Sequence, residues 1–324
     1  MLGSSSSSFM TLMRCICVDL DPLLCLLGLH DSRLPQLYRS NLSSFSSAME
    51  MFENINWAEL PPELISSILL RLDVVEILEN AQIVCKPWRS VTKDPYMWRK
   101  VDMQNVGSLG FCDLKLEKMC RNAVDRSKGG LVEIRIGNFG NDELLNYIAD
   151  RSSNLRSFGL AMCNGMSNEG LVNAVGKLRL LEELEVSNMW SDLDFKAIGH
   201  SCPRLKSLKL NCSGYWCPYY RSKSDDDDAL AISESMPELS HLQLLGNGLS
   251  DIGLYAILDN CPHLEHLDIR RCFNVQDLKN RCSEIKVLRG PNDSTADYRF
   301  VIVYYDTDTD TDSDEDDYFG YPVY

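Results

Sequence analysis

The side chains that most often carry out enzymatic chemistry form no recognisable catalytic motif in this sequence. Its five histidines form no His-Glu-x-x-His motif, and there is no glycine-rich phosphate loop and no nucleophile elbow. Its thirteen cysteines include no Cys-x-x-Cys pair and no Cys/His cluster with zinc spacing. His263 and His266 lie close together but have no evident third ligand. The sequence therefore predicts no catalytic site, no metal site and no cofactor, and it favours a binding function.

The composition indicates which cellular compartment and which class of partner to expect. The odd number and wide spacing of the cysteines favour free thiols in a reducing compartment, so we expect the nucleus or the cytoplasm. A formal net charge of −15 argues against nucleic acid or an anionic membrane as a partner. No run of about 20 apolar residues, the length needed to span a bilayer, is present. Another protein is the expected partner.

From Gly130 onward the sequence repeats a Leu-x-x-Leu-x-Leu pattern, followed by a polar turn and a short apolar helix. The apolar sets are Leu131/Ile134/Ile136, Leu155/Phe158/Leu160, Leu181/Leu184/Val186, Leu205/Leu208/Leu210, Leu239/Leu242/Leu244, Leu264/Leu267/Ile269 and a shortened Ile285/Leu288. Predicted helix starts are the capping pairs Asn141-Asp142, Ser167-Asn168, Ser191-Asp192 and Ser250-Asp251. A period in the twenties is typical of a curved solenoid in which these apolar residues stack inward.

Strand residues that alternate with the inward positions face the concave side of such a solenoid. They carry charges of both signs, and we predict that they bind a protein substrate. The candidate contacts are Glu183, Glu185, Lys209, His241, His266, Asp268 and Arg270. For any one of them the alternative is plain solvation of an exposed sheet.

One repeat is lengthened by an insertion over residues 212–228, which holds four aromatic side chains in a polar setting. Trp216 and Tyr219 are the predicted substrate anchors, because tryptophan and tyrosine often dominate interface energies. The alternative is a loop that folds back on its own repeat or stays mobile.

The two ends of the chain are expected to be disordered. Residues 1–52 are largely serine-rich, with Met49 as a possible alternative start, and eight of the twelve residues 306–317 are acidic. A run of like charges repels itself and resists folding. We interpret the acidic run as a solubilising tail; an arm for a basic partner, or a phosphorylation platform at its threonines and Ser313, are the alternatives.

The stretch from Leu60 to Trp98 predicts three short helices. Pro61 and Pro62 suit a first helical turn, and Glu63 complements its positive end. This first helix is apolar around most of its circumference, so it must be buried on more than one side. A second helix is predicted over 74–80 and a third over about 81–91, which Pro87 should bend or delay. So small a segment cannot cover its first helix alone, and one face should meet a partner.

This stretch resembles the F-box. It contains Leu60-Pro61-x-Glu63, Ile68-Leu69, Val84-Cys85-x-x-Trp88 and a terminal Asp94-Pro95-x-x-Trp98 in the family's order and spacing. The resemblance implies docking on a Skp-type adaptor and, through it, on a cullin and a RING subunit. By position, the implied adaptor contacts are Leu60, Pro61, Glu63, Leu64, Ile68 and Leu69, with Val84, Cys85 and Trp88 partly in contact and partly in the core.

The repeats resemble the cysteine-containing leucine-rich repeats (LRR) that often follow an F-box. The chain is thus predicted to be an α/β protein with a three-helix F-box and an LRR solenoid. The predicted boundaries are a leader at 1–52, the F-box at 53–100, a linker with a capping helix at 101–129, six to seven repeats at 130–290 and a disordered acidic tail at 291–324. Trp98 is expected to wedge the F-box against the first repeat in a rigid joint.

Two functions remain open at this point. The first is the substrate-recognition subunit of a Skp–cullin–F-box (SCF) ubiquitin ligase, a non-catalytic role in which the F-box binds the adaptor and the repeats bind a protein to be degraded. The alternative is an F-box/LRR scaffold or acidic-tailed interaction module that delivers no substrate. The sequence names no substrate.

Overall fold

The computed structural model describes residues 58–104, 112–188, 193–211, 226–278 and 281–298. Its first part consists of short helices. Helix α1 spans Pro62–Leu69, and Pro61 precedes it in an extended conformation. Helix α2 has three consecutive segments, α-helical Val74–Glu76, π-helical Ile77–Ala81 and α-helical Gln82–Val84. Helix α3 spans Lys86–Val91, and a 3-10 turn follows at Pro95–Trp98.

Pro87 delays the third helix, as the sequence predicts. Cys85 is extended, with φ −158° and ψ 173°, so the chain leaves the helical conformation after Val84 and re-enters it at Lys86. Pro87 then occupies the first turn of α3, where a missing N–H breaks no helical hydrogen bond. The predicted break between the second and third helices near residue 81 is corrected to Cys85.

The rest of the described chain is one parallel sheet with helices on its convex side. Its eight strands lie side by side in the order of the sequence. They are β1 (Lys100–Met103), β2 (Glu133–Ile136), β3 (Ser157–Ala161), β4 (Glu183–Ser187), β5 (Ser207–Asn211), β6 (His241–Gln243), β7 (His266–Asp268) and β8 (Val287–Arg289). The helices are α4 (Asp113–Arg126), α5 (Asp142–Arg151), α6 (Asn168–Lys177), α7 (Phe195–Ser201), α8 (Asp227–Ser235) and α9 (Asp251–Asn260).

Strand β1 and helix α4 lie where the sequence predicts only a linker with a capping helix. Trp98, Val101 and Met103 have the same spacing as a repeat's three inward residues and are all buried. Val101 and Met103 pair in register with Ile134 and Ile136 of the next strand. The linker prediction is therefore corrected: residues 98–126 include the first unit of the array.

The inward positions of the repeats form one continuous core. The side chains of all six predicted triplets are at most 7% exposed, and Ile285 and Leu288 pack against the same core. Because each unit contributes only two or three of these residues, no unit can bury its apolar face without its neighbours.

A second set of contacts links the starts of successive helices. Asp142 accepts hydrogen bonds from the backbone N and Oγ of Ser167, at 2.8 and 2.7 Å. Asp226 binds the same two atoms of Ser250, at 2.8 and 2.5 Å. These two serines cap α6 and α9, so each acid also orients the capping residue of the following unit.

The link from α6 to α7 corrects one predicted helix start. Asn168 Oδ1 accepts from the backbone N of Asp194 at 2.8 Å, and Asp194 in turn accepts from Ala197 N. Helix α7 therefore begins after Asp194, whereas the sequence predicts a start at Ser191-Asp192, which lies outside the described residues.

Residues 291–298 fold against the last repeat, which corrects the prediction that disorder begins at 291. The carbonyl of Pro291 accepts from Arg271 N at 2.9 Å, and the carbonyl of Ser294 accepts from Arg270 Nη1 at 2.7 Å. Asp297 also binds Arg270 Nη1, at 2.5 Å. The predicted leader and the acidic run at 306–317 lie outside the described residues.

Candidate functional site

The F-box-like region presents large apolar side chains to solvent on three of its elements. Leu70 at the end of α1, Ile83 in α2 and Tyr96 in the 3-10 turn are 54%, 55% and 63% exposed. Pro61 and Glu63 are also exposed. A protein partner that covers these side chains would remove apolar area from water.

Arg126, in the last turn of α4, joins the helical region to the repeats. Its Nη2 donates to Gln82 Oε1 in α2 at 2.9 Å, and its Nη1 donates to the carbonyl of Thr92 at 3.3 Å. Its guanidinium carbon lies 5.4 Å from the centroid of the Trp98 ring, within cation–π range. One half-buried cation thus contacts three parts of the neighbouring region.

Two further contacts complete this joint. The indole N–H of Trp98, which is 1% exposed, donates to the same Thr92 carbonyl at 2.9 Å. At the other end of α4, Lys115 forms an ion pair with Glu79 at 3.1 Å. The predicted wedge at Trp98 is therefore present, and α4 is bonded to α2 near both of its ends.

A groove of about 420 Å³ crosses the concave face from β4 to β8. Its polar lining comes from the strand positions that alternate with the buried core positions. These lining side chains are Glu183, Ser207, Lys209, His241, Gln243, His266, Asp268 and Arg289. The groove thus brings together five of the predicted substrate contacts, namely Glu183, Lys209, His241, His266 and Asp268.

The cations of the groove are already bonded to the chain's own carboxylates. Lys209 Nζ lies 2.5 Å from Glu183 Oε1, and Arg289 binds Asp297. Partial burial alone would raise the pKa of Glu183, but hydrogen bonds from Lys209 and Ser157 and the charge of Lys209 hold it below its ordinary value. The cations of the groove are therefore paired within the chain, whereas the carboxylate of Glu183 keeps acceptor positions beyond the bonds from Lys209 and Ser157.

Two histidines occupy the middle of the groove. His241 and His266 pair in register on β6 and β7, and their rings stack with centroids 4.1 Å apart and planes 11° from parallel. His241 Nδ1 and Ser240 Oγ form a hydrogen bond of 2.9 Å. Burial lowers the pKa of His241, as do the neighbouring His266 and Lys209, so this imidazole is neutral at neutral pH.

Comparisons with known proteins agree with these features. Residues 57–104 match the family model described as F-box-like. The chain is 58% identical over 260 residues to the F-box protein SKIP19 of Arabidopsis thaliana, covering 79% of this chain and 83% of the relative. It is 52% identical over 267 residues to the putative F-box/LRR-repeat protein 21 of the same plant, covering 77% and 86%. The chain belongs to the F-box/LRR-repeat protein family. Such F-box proteins generally act as substrate adaptors of SCF ubiquitin ligases.

A solved yeast structure of Rad7 in complex with Elc1 aligns with 80% of this chain and 69% of the matched chain. Its TM-score is 0.46 and its sequence identity is 15%.

Three of the residues that the F-box resemblance assigns to the adaptor lie in the core. Ile68 and Leu69 on α1 and Trp88 on α3 are at most 1% exposed. Ile68 and Leu69 are corrected from surface contacts to core residues, and Trp88, predicted to be partly contact and partly core, lies wholly in the core. The remaining six predicted adaptor residues reach solvent at least in part: Leu60, Pro61, Glu63, Leu64, Val84 and Cys85.

Two predicted substrate contacts of the F-box/LRR protein are likewise buried. Glu185 is 7% exposed and faces Arg135, which leans across the side-chain-free Gly159 to within 3.8 Å of the carboxylate. Arg270 is 2% exposed and bonded to Asp268 and to residues 294–297. Both are corrected to internal pairing roles. Trp216 and Tyr219 lie outside the described residues.

Sequence reasoning predicted that one face of the first helix stays uncovered, but it did not name Leu70, Ile83 or Tyr96 as adaptor contacts. The signal for Leu70 was present, because this residue makes the first helix apolar in a further direction. It also missed Arg126, because a single arginine at a helix end is ordinary and only the tertiary structure shows what it contacts.

The described residues offer little for covalent or metal chemistry. Burial raises the pKa of Cys120 and Cys163 to about 12, so these thiols stay protonated and unreactive. Within the described ranges, no group of three or more histidine, cysteine or acidic side chains could hold a metal ion. In the same ranges no helix is both long and apolar enough to cross a bilayer.

Proposed function

We propose that this chain is the substrate-recognition subunit of an SCF ubiquitin ligase: its F-box binds a Skp-type adaptor and its LRR groove binds the protein to be ubiquitinated. The observation that carries the proposal is the pairing, in one chain, of an F-box with unsatisfied apolar side chains and a separate groove on a repeat array.

The adaptor half rests on exposure. Leu70 and Ile83 lie more than half in solvent, while Leu60, Leu64 and Val84 are partly covered. Burying one large aliphatic side chain is worth about 1.5–3 kcal/mol, so a partner that covers this surface gains a stable contact.

The substrate half rests on the groove and on the joint. In this proposal ubiquitin transfer belongs to other subunits, and this chain supplies two binding surfaces and the distance between them. Arg126 and Trp98 fix that distance, because they bond the first repeat to the F-box. We place this complex in the nucleus or the cytoplasm.

The adaptor half is tested with Leu70→Asp and Ile83→Asp. Each places a charge in an apolar interface, so the affinity for a purified Skp-type adaptor should fall at least about tenfold. Melting temperature should change little, because both side chains are exposed in the free chain. Leu114→Asp is the matched control: Leu114 is 70% exposed but lies on α4, and its replacement should leave adaptor binding unchanged.

The ligase assignment is tested in cells by co-purification and turnover. Recovery of cullin with the wild-type chain but not with Leu70→Asp, together with a bound protein that accumulates when the chain is removed, supports a substrate-recognition subunit. Adaptor without cullin, or a bound protein whose lifetime does not change, identifies a scaffold instead. Undiminished adaptor affinity in both charge variants contradicts the proposed surface.

A further inference from the structure

One row of side chains crosses the groove at a single register. Ser157, Glu183, Ser207, His241, His266 and Val287 lie directly opposite one another on β3 to β8. Neighbouring strands are about 4.8 Å apart, so side chains in such a row can stack across the sheet. The imidazoles of His241 and His266 do so, at 4.1 Å.

The stack stops at Ser207. A serine is too short to meet the outer face of the His241 ring. Glu183, Ser207, Lys209 and His241 line the groove at this point, so there is open space above β5 between the ring and the Glu183–Lys209 pair. Glu183 and His241 are two strand spacings apart, roughly 9–10 Å. A planar group needs about 3.5–4 Å on each side for van der Waals contact, so one such group fits between them.

We propose that this space binds the guanidinium of an arginine in the partner protein, stacked on His241 above Ser207 and paired with Glu183. The inference rests on the proposed substrate-binding role of the groove and specifies the chemistry that the groove recognises. Its occupant is an arginine-bearing peptide segment.

The carboxylate of Glu183 selects a cation. Lys209 and Ser157 take one position on each of its oxygens, and an ionised carboxylate has about four acceptor positions, so it can accept further donors. A net charge of −15 also attracts cationic segments over longer distances.

The shape of the space selects arginine over lysine. A guanidinium is planar, stacks on aromatic faces and donates hydrogen bonds from its edge, whereas an ammonium is a compact, strongly hydrated point charge. Here the stacking surface is an imidazole and the hydrogen-bond acceptor lies beside it.

The stacking surface must be neutral, because an imidazolium would repel the arginine. The groups that face His241 are Lys209 and Glu183 on one side and His266 and Glu265 on the other. Burial, His266 and Lys209 outweigh the two carboxylates and lower the pKa of His241, which keeps the ring uncharged at neutral pH.

The test compares two peptides of nine residues, glycine and serine throughout except for one central arginine or one central citrulline. Citrulline keeps the shape of arginine but removes the charge. The full-length chain, bound to its adaptor, is labelled in its histidine rings; with only five histidines the spectrum is simple. Each peptide is titrated while the ring signals of His241 and His266 are followed by NMR.

The arginine peptide should shift the His241 ring and bind about tenfold more tightly than the citrulline peptide. Ser207→Phe fills the space and should abolish this difference. The matched control, Val287→Phe, places the same side chain at the other end of the row and should preserve the difference within about twofold.

Equal binding of the two peptides overturns the proposal and needs no variant, so a folding defect in Ser207→Phe cannot obscure the result. If a peptide with a central tyrosine binds more tightly than the arginine peptide, the proposal is overturned as well, because the space would then prefer an aromatic ring to a guanidinium. The measurement involves no ubiquitin transfer. A chain that binds arginine but recruits no cullin would refute the ligase assignment and leave this inference standing.

Discussion

In the F-box, Leu70, Ile83 and Tyr96 keep more than half of their area in water, whereas the charged side chains of the concave groove are bonded to partners within the chain. The two surfaces are prepared for binding in different ways. The F-box surface exposes apolar side chains that a partner would cover. In the groove, the charged side chains are already paired with others in the same chain.

The difference teaches what each partner must contribute. A protein on the F-box gains mainly from removing apolar area from water, so affinity there should depend little on salt. A protein in the groove must fit between existing ion pairs, and its selectivity should come from shape and from the few groups that the pairs leave available.

The largest effect is expected from Phe158→Ala in the array. Phe158 lies on β3, is fully buried and contributes to the core of three neighbouring strands. Its truncation should lower the free energy of unfolding by about 3–5 kcal/mol, measured by urea denaturation. Phe273→Ala, at a side chain that is 56% exposed, is the control and should cost less than about 0.5 kcal/mol. Similar losses for both variants would show that the buried core of the array stabilises the fold no more than an exposed side chain does.

Arg126→Ala should have the next largest effect, because it separates the two regions. Two hydrogen bonds and a cation–π contact are lost, and the Gln82 side chain and Thr92 carbonyl lose a donor, for a loss of about 1–3 kcal/mol. Hydrogen exchange should rise in α2 and α4 and stay unchanged at β4 to β6. Lys115→Ala removes the partly exposed pair with Glu79 and should cost at most about 1 kcal/mol. Unaltered exchange in Arg126→Ala would mean that the joint is held by other contacts.

A smaller loss is expected from Asp142→Ala, which tests how the array holds its helices in line. Without the two bonds to Ser167, unfolding should become easier by about 1–2 kcal/mol. Asp150→Ala, which removes an exposed ion pair with Lys177, is the control and should change stability by less than about 1 kcal/mol. A loss no larger than in the control would show that the hydrogen bonds between helix starts add no more stability than an exposed ion pair.

The smallest effect concerns the protonation of the groove. His241 should titrate below the ordinary histidine pKa, followed by NMR of its ring, because burial is the first cause and His266 adds to it. The folded chain then binds fewer protons than the unfolded chain, so this group's contribution to stability is complete above the unfolded pKa and declines as the pH falls below it. In His266→Gln the pKa should rise but stay below the ordinary value. An ordinary pKa in the wild type contradicts the stacked arrangement.

Periodicity was enough to predict most of the array. The inward triplets are buried as predicted, since a Leu-x-x-Leu-x-Leu unit cannot cover its apolar face alone. The first unit was missed because Trp98 completes two patterns at once, the end of the F-box and the start of the Trp98/Val101/Met103 triplet. Trp98 was assigned to the F-box because that motif is the more specific of the two patterns.

The site was less predictable than the fold. Alternation along a strand tells which face a side chain is on, but it does not tell whether a neighbour covers it. Arg270 is on the expected part of the chain and is nevertheless enclosed, because residues 291–298 return to it from a distance in sequence that no local pattern encodes. Ile68 and Leu69 illustrate the same point in the F-box, where a motif position turned out to be internal.

The hydrogen bonds between successive helix starts have a consequence for how such a chain changes over generations. Asp142 and Asp226 each bond forward to a serine that caps the helix of the next unit. Donor and acceptor thus come from adjoining units, and the α6 unit carries both roles, because Ser167 donates to the unit before it and Asn168 accepts from the unit after it. Duplication of this unit in the gene would place a serine next to an asparagine acceptor at the new boundary, so the array could lengthen there by recombination without compensating substitutions.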